Sequence, residues 1–341
     1  MLSQILNEAT HAVYRRLPGV LPRIYVPRYP VILQIYLESR CNLGCFFCLG
    51  KRDDNSHGFD IRNLDKLDEA IKHARYIPIS AWGEPLISPN LPIVLDKIFS
   101  LNNRLGLIAI VTNGTRLSPE LAKSGKHLGD IAISLNAGTA DTYNRDMEGG
   151  DFQMTLDAIR SFMEAYPDLY KVSIHMVAHA QNYQEIPQVI RIASSLGIPR
   201  VRVDQLLVHR KEDEPLSLLH IKQEYNHSID IAKKMAADLH MRFIAKKFGG
   251  SRKIQKCLSP FLESYVWADG KVAPCCWNGI LFMGNAYETS FEQVWSGDEY
   301  QSLRKHPPSQ CVNCPKILPL DNPMAHVSPW YRDNLLEKDS T

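Results

Sequence analysis

The sequence predicts an α/β protein built around a parallel sheet, and three observations indicate it. Between residues 30 and 210, short apolar runs alternate with stretches of helical periodicity. Each run has the length of a buried strand, and most end on a turn containing Gly, Asn or Ser. Strands that alternate with helices are joined by right-handed crossovers, which makes them parallel. The length of 341 residues suits one large domain and a smaller one.

Six apolar runs are the strand candidates. They are VILQIYLES, IPISAWGEP, LGLIAIVTNG, DIAISLNA, KVSIHMVAHA and RVRVDQLLV. The segment NLDKLDEAIKHARY carries one apolar helical face, and Ser118 followed by Pro119 is typical of a helix start. Six such units form either an incomplete barrel or an open doubly wound sheet. In both cases the chemistry belongs at the carboxyl ends of the strands.

The segment HRKEDEPLS, from residue 209, is typical of a charged linker, and KQEYNHSIDIAKKMAADLH predicts a long helix after it. The pattern changes after residue 250. ESYVWADGKVAPCCW then predicts a hairpin with Asp269 and Gly270 at its turn, and SFEQVWSGDEYQSLRKH predicts one short helix. The predicted units are a helical extension over 1–29, an α/β domain over 30–250 and a small domain over 251–341.

Composition excludes several classes of protein. Hydrophobic residues make up 45% and charged residues 22%, which is ordinary for a globular chain. A net charge of +2 does not indicate a nucleic-acid partner. No targeting segment and no apolar run long enough to span a membrane is present, so we expect a cytoplasmic protein. In a reducing compartment the eight cysteines are expected to bind metal rather than form disulfides.

Three cysteines follow the first predicted strand in the pattern C-x3-C-x2-C. They are Cys41, Cys45 and Cys48. Three thiolates on a four-iron cluster leave one iron without a protein ligand, and a chelating cofactor needs that open site. The alternatives are a zinc site completed by a residue such as His57, or three structural cysteines. The spacing matches the paired C-x2-C of zinc sites poorly.

The stretch CNLGCFFC resembles the signature of the radical S-adenosylmethionine (SAM) superfamily, including the aromatic Phe47 before the last cysteine. The resemblance implies a partial (β/α)6 TIM-like barrel. It also implies that Cys41, Cys45 and Cys48 hold a [4Fe-4S] cluster, whose fourth iron binds the amino and carboxylate groups of SAM.

Other segments resemble the family's SAM contacts at the ends of successive strands. In SAWGEPL, Trp82 stands where many members have glycine. Residues in SAWGEPL, VTNGT and ISLNAGTADTYNRDMEGG match family positions and are predicted to bind the cofactor. They are Gly83, Glu84, Asn113, Ser134, Asn136 and Arg145. Each short motif alone is weak, but their order along successive strands is specific.

The second cysteine group resembles the C-terminal Twitch extension, a relative of the SPASM domain. The resemblance implies one auxiliary [4Fe-4S] cluster closed by four thiolates, Cys257, Cys275, Cys311 and Cys314. A zinc ribbon on the same cysteines is the alternative. The adjacent Cys276 is either another ligand, an inert buried thiol, or a hydrogen-atom donor in catalysis.

The resemblance implies an enzyme that cleaves SAM reductively to a 5'-deoxyadenosyl radical, which takes a hydrogen atom from the substrate. An external flavodoxin- or ferredoxin-type donor would supply the electron. His175, Asp204 and Gln205 are placed to line the barrel interior, although one strand histidine alone does not define a site.

Only about 30 residues precede the first strand, too few for a separate peptide-recognition domain. The sequence therefore favours a small polar substrate, such as a sugar, aminocyclitol or nucleoside-linked sugar, which is oxidised or epimerised. A SPASM-type peptide epimerase or maturase is the second hypothesis. A non-enzymatic iron-sulfur electron carrier or sensor is the third.

Overall fold

The fold is taken from a computed structural model. The model describes residues 26–48, 58–80, 82–104, 106–124, 128–166, 168–250, 257–276, 281–312, 314–315 and 317–328. Most of the predicted N-terminal helix, His57 and the residues directly after the predicted boundary at 250 lie outside these ranges. The three domain boundaries stay predictions.

One mixed sheet of nine strands organises the described part of the chain. The strands are β1 (Ile32–Tyr36), β2 (Ile77–Ser80), β3 (Ile108–Thr112), β4 (Leu128–Ser134), β5 (Val172–Ala178), β6 (Arg200–Gln205), β7 (Arg242–Ala245), β8 (Glu263–Val266) and β9 (Val272–Ala273). Their order in the sheet is β7-β6-β5-β4-β3-β2-β1-β8-β9. The neighbours from β7 to β8 are parallel, and only β8 and β9 pair antiparallel. The predicted α/β fold is confirmed.

Helices lie between the parallel strands along the chain and also follow β9. They are α1 (Asp68–His73), α2 (Leu91–Leu101), α3 (Pro119–Ser124), α4 (Ala140–Asp146), α5 (Phe152–Ala165), α6 (Ile186–Ser195), α7 (Lys222–Asp238), α8 (Ser259–Leu262), α9 (Phe291–Ser296), α10 (Asp298–Lys305) and α11 (Ser309–Val312). The predicted cap is present, because the Ser118 hydroxyl accepts the Leu121 N–H at 3.3 Å. The single helix predicted near the C-terminus is instead two, α9 and α10, which are separated at Gly297.

Two strands differ from the sequence prediction. The first is β7, whose four residues RFIA alternate exposed and half-buried at the edge of the sheet and give little apolar signal. The second is β8, predicted as part of a separate small domain. It pairs in parallel with β1, so that Gln34 lies opposite Tyr265. The predicted β8–β9 hairpin is confirmed, with Gly270 in the left-handed region at φ +85°.

The two faces of the sheet have different chemistry. One face packs on helices such as α6, whose Ile186, Val189 and Ile190 are buried. The other face carries polar side chains that contact each other across the strands. The Arg200 guanidinium of β6 contacts the Asp130 carboxylate of β4 at 2.5 Å, two strands away. Both residues of this pair lie near the amino ends of their strands, away from the carboxyl ends where a barrel-like fold places its site.

Within the described residues, no helix is both long enough and apolar enough to cross a bilayer.

The fully buried Tyr300 ties α10 to the β8–β9 hairpin. Its hydroxyl lies 2.9 Å from the Ser264 hydroxyl and donates to the Ala273 carbonyl at 3.2 Å. We expect Tyr300→Phe to lower the free energy of unfolding by about 2 kcal/mol, because buried Ser264 and Ala273 each lose a partner. Urea denaturation measures the loss. Tyr170→Phe, at a position that is 81% exposed, is the control and should show no change.

Candidate functional site

The three cysteines of the signature lie in a loop after β1, at the carboxyl edge of the sheet. We call residues 41–48 the cluster loop. Cys41 is exposed, while Cys45 and Cys48 are half-buried. The Leu43 N–H donates to the Cys41 sulfur at 3.4 Å, which favours a thiolate at that atom.

Negative charge accumulates around Cys41. Although Cys41 is exposed as a residue, desolvation of its sulfur by the surrounding groups raises the pKa of the thiol. The charges of Glu84 and Cys48 raise it further, while the Asn113 amide donates to the sulfur at 3.8 Å. An uncompensated thiolate is therefore disfavoured at this position. Bound iron reverses the balance, because a cationic centre stabilises each thiolate that ligates it.

Gly83 follows β2, and its backbone lies against residues 39–40, which join β1 to the cluster loop. A Cβ at this position would lie 2.1 Å from the Arg40 carbonyl oxygen and 2.7 Å from the Ser39 carbonyl carbon. Only glycine permits this approach without moving backbone. The glycine predicted from the motif is thus required by the packing of β1 against β2.

Glu84 is almost fully buried, and both of its carboxylate oxygens accept hydrogen bonds within the protein. One oxygen accepts from the Leu86 N–H at 3.0 Å and the Thr112 hydroxyl at 2.7 Å, and the other accepts from the Asn113 N–H at 2.6 Å. Burial raises the pKa of Glu84 despite these bonds. The carboxylate fastens the ends of β2 and β3; its contact with SAM stays a prediction.

Asn113 lies directly beside the cluster loop. Its amide nitrogen donates to the Asn42 side chain at 3.0 Å, and its carbonyl accepts from the Thr115 hydroxyl at 2.7 Å. The predicted residue is therefore next to Cys41, as a cofactor contact must be.

Ser134 and Asn136 lie at the end of β4. Ser134 is half-buried, opposite His175 of β5. The side-chain carbonyl of Asn136 accepts the Val177 N–H at 2.8 Å, so that this side chain joins the ends of β4 and β5. The Arg145 side chain is 48% exposed, and its guanidinium donates to the Asp146 carboxylate at 2.8 Å. These contacts leave the proposed SAM contacts of all three residues as predictions.

Three of the four predicted auxiliary ligands come close together. Burial raises the pKa of Cys311 to about 11, and the charges of Cys257 and Cys314 add to the rise. Mutual repulsion of this kind is relieved when the thiolates share a cationic centre. The residues that precede Cys257 lie outside the described ranges.

Cys275 and Cys276 pack on a group of aromatic side chains that we call the aromatic wall. The wall consists of Tyr36, Trp82, Tyr265 and Trp267. The ring centroids of Trp82 and Trp267 lie 5.2 Å apart, and those of Tyr36 and Trp267 lie 5.1 Å apart. The wall therefore links β1 and β2 to the hairpin that carries both cysteines.

The donor sets fit iron-sulfur clusters. Among the described residues, no three His, Cys, Asp or Glu side chains converge as one metal ion requires. A four-iron cluster holds its cysteines around a cube of iron and sulfur, which spreads them further than the ligands of one tetrahedral zinc. The ligand residues in both groups are thiols, the soft donors that such clusters use.

A cavity of about 600 Å³ lies between the cluster loop and the aromatic wall. Phe47 and Cys48 line it on the loop side, and Trp82 and Cys276 line it on the side of the wall. The predicted Asp204 and Gln205 line it as well. His175 lies on β5, where burial and the charge of Arg202 lower its pKa to about 4, so it is neutral near pH 7.

Sequence reasoning missed several residues of the site. Arg202 lines the cavity and pairs with Asp204 at 2.6 Å, and Lys246 after β7 also lines it. The alternation of charged residues in RVRVDQ is the available signal for Arg202. Buried Asp146 and His179 pair at 3.0 Å behind the cluster loop, and their separation in sequence gives no signal.

The fold and the two groups of cysteines define an iron-sulfur α/β protein with its site at the carboxyl ends of the strands. A family model described as the Radical SAM superfamily matches residues 35–214, more than half of the chain, and one described as an iron-sulfur cluster-binding domain, SPASM, matches residues 257–315. The chain belongs to the radical SAM superfamily, binds SAM and a [4Fe-4S] cluster in its first domain, and carries auxiliary iron-sulfur ligation in its second.

Individual proteins resemble the chain over different lengths. It is 27% identical to the AdoMet-dependent heme synthase of Methanosarcina barkeri over 81% of this chain and 85% of the relative. It is 28% identical to the mycofactocin maturase MftC of Mycobacterium tuberculosis over 49% of this chain and 43% of the relative. Streptococcus suis SuiB, solved with a precursor peptide, shares the fold at a TM-score of 0.63 and 18% identity. The similarity covers 84% of this chain and 70% of the SuiB chain.

We expect Glu84→Gln to destabilise the site, because the new amide N–H₂ faces the donors that the carboxylate accepted from. The predicted loss is about 2 kcal/mol in the free energy of unfolding, measured by urea denaturation. Glu292→Gln, whose carboxylate pairs with Arg28 at the surface, is the matched control and should cost far less. Equal losses in both variants would contradict the assigned role of Glu84.

Proposed function

We propose that the protein is a SPASM-type radical SAM enzyme that modifies a peptide. The observation that carries the proposal is the cavity that Cys48 of the cluster loop and Cys276 of the hairpin region both line. A residue inserted there has the cluster loop on one side and a thiol within the lining. The relatives favour a peptide over a sugar, because MftC is named a maturase and SuiB was solved with a precursor peptide.

The bound cluster and SAM supply a 5'-deoxyadenosyl radical, and the chain's own residues determine what that radical reaches. Phe47 and Trp82 line the cavity and offer apolar surface to it. Arg202 and Asp204, paired at 2.6 Å, offer donors and acceptors at the β6 end that orient a polar backbone. Fixed orientation of the reacting hydrogen is the main protein contribution to such chemistry.

The size of the cavity favours a substrate that inserts only a part of itself. A volume of about 600 Å³ is in the range of a site for one cofactor-sized ligand. Because the cluster and SAM would occupy the side of the cluster loop, we expect room for only a small part of the substrate. A peptide meets this condition, because one residue enters while the rest of the chain stays outside.

Cys276 is proposed as the hydrogen-atom donor to the substrate radical. It lines the cavity, while its neighbour Cys275 is proposed to ligate the auxiliary cluster. Donation from the face opposite SAM would invert the carbon and leave a thiyl radical on Cys276, which one electron from the external donor and one proton from solvent would return to the thiol. Loss of a proton and of an electron from the substrate radical, with the auxiliary cluster as electron acceptor, would oxidise the carbon instead. The position of Cys276 favours epimerisation.

A tetrapyrrole is the second candidate substrate. The similarity to the heme synthase of M. barkeri extends over 81% of this chain, which is the longer of the two sequence similarities described above. A substituent at the ring edge would enter the cavity in place of a peptide side chain. The sugar substrate favoured by the sequence has less support from these relatives than either of the larger substrates.

We predict that the anaerobically reconstituted protein binds about eight irons and forms 5'-deoxyadenosine from SAM with dithionite. Cys45→Ala is expected to bind about four irons and form no 5'-deoxyadenosine, because the SAM-binding cluster loses a ligand. Iron analysis and chromatography of the nucleoside measure both. No product from fully loaded wild-type protein would favour the electron-carrier hypothesis.

We predict that a peptide epimerised in deuterated water gains one deuterium at the inverted carbon, because the Cys276 thiol exchanges with solvent. A panel of synthetic peptides, iron-coproporphyrin III and nucleotide sugars are the probes, and mass spectrometry measures the label. Cys276→Ala should abolish labelling of the peptide. Turnover of the porphyrin or of a sugar, with peptides left intact, would overturn the peptide proposal.

A further inference from the structure

The cluster loop is held largely by contacts from outside it. The Gly44 N–H donates to the Glu148 carbonyl at 2.7 Å, and the Phe46 N–H donates to the Asp146 carbonyl at 3.3 Å. The end of α4 and the residues directly after it therefore support the loop. A loop with cysteines at three positions needs such support, because small displacements of ligands weaken a metal site.

Phe46 is the residue through which the loop is held most firmly, and it lies between Cys45 and Cys48. Its carbonyl accepts from the Arg210 guanidinium, which also pairs with Asp213 at 2.9 Å. Its ring meets the ring of His179 edge-on, with centroids 5.3 Å apart and planes at 83°. Main chain and side chain of Phe46 are thus both fixed.

Behind Phe46 lies a buried pair of ionisable groups. His179 Nε2 is 3.0 Å from Asp146 Oδ2, and neither side chain is exposed. The other oxygen of Asp146 accepts from Arg145 Nε at 2.8 Å. Burial acts to raise the pKa of Asp146, but the bonds from His179 and Arg145 outweigh burial and hold the pKa below its ordinary value.

This pair touches two separate parts of the site. The main-chain carbonyl of Asp146 accepts the Phe46 N–H, and its carboxylate accepts from Arg145, the predicted contact of the SAM carboxylate. The same carboxylate holds His179, whose ring packs on Phe46. Asp146 therefore connects the loop that carries the cysteines, through its own main-chain carbonyl and through His179, with the arginine predicted to bind the cofactor.

We propose that Asp146 and His179 are positioning residues that hold the cluster loop in its ligating shape and couple that shape to the SAM contact of Arg145. The inference rests on the assignment of Cys41, Cys45 and Cys48 as ligands. A breakdown of that assignment shows itself separately, as absence of a SAM-responsive cluster in the wild-type protein.

The test is Asp146→Asn in the protein reconstituted with both clusters. We expect iron loss from the SAM-binding cluster to a chelator to accelerate about tenfold, because lost outer partners typically weaken a metal site by that factor. We also expect a higher SAM concentration to be needed for the SAM-induced change in the electron paramagnetic resonance spectrum. The auxiliary cluster should keep its wild-type rate of iron loss.

Asp130→Asn is the matched control, because it breaks the Arg200–Asp130 ion pair on the same sheet away from the loop. It should leave iron loss and the SAM titration unchanged. Unchanged behaviour of Asp146→Asn would overturn the proposal, as would equal acceleration at both clusters together with a lower melting temperature. Should Asp146→Asn not fold, Phe46→Leu keeps the main-chain bonds and removes the ring contacts with His179 and Phe47. It must show the same selective loss, and wild-type behaviour of Phe46→Leu would then overturn the proposal.

Discussion

The close approach of β2 to the end of β1 is the constraint on which the rest of the site depends. Gly83 lets the two backbones touch, and the Glu84 N–H donates to the Arg40 carbonyl at 2.9 Å, directly before Cys41. The buried Glu84 carboxylate then fastens the start of the next loop through the Asn113 N–H. Three strand ends are fixed relative to the first cysteine by one glycine and one carboxylate.

Electrostatics makes the ionisation of the cysteines in the cluster loop, and in the second cysteine group, depend on bound iron. Burial and neighbouring negative charge raise the pKa of Cys41 and of Cys311, so that the protein alone disfavours thiolates at both positions. Bound iron changes the sign of that interaction, since each thiolate then faces a cation. Binding of the clusters is thus coupled to the stability of the folded chain, as expected for thiolate sites.

Much of the fold and of the cysteine chemistry could be predicted from the sequence, because strand periodicity and ligand spacing are local signals. β7 was missed because four half-exposed residues at a sheet edge carry almost no apolar pattern. The pairing of β8 with β1 was missed because the two strands are more than 200 residues apart. The Asp146–His179 pair was missed for the same physical reason, since only folding brings the end of α4 next to the end of β5.

The parallel pairing of β8 with β1 has a mechanical consequence. The strand that leads to Cys41 and the hairpin that leads to Cys275 share backbone hydrogen bonds in one sheet. Their separation is therefore set by strand spacing and not by a hinge between domains. Electron tunnelling falls steeply with distance, so the shared sheet would hold two clusters ligated by these cysteines at a fixed spacing for electron exchange.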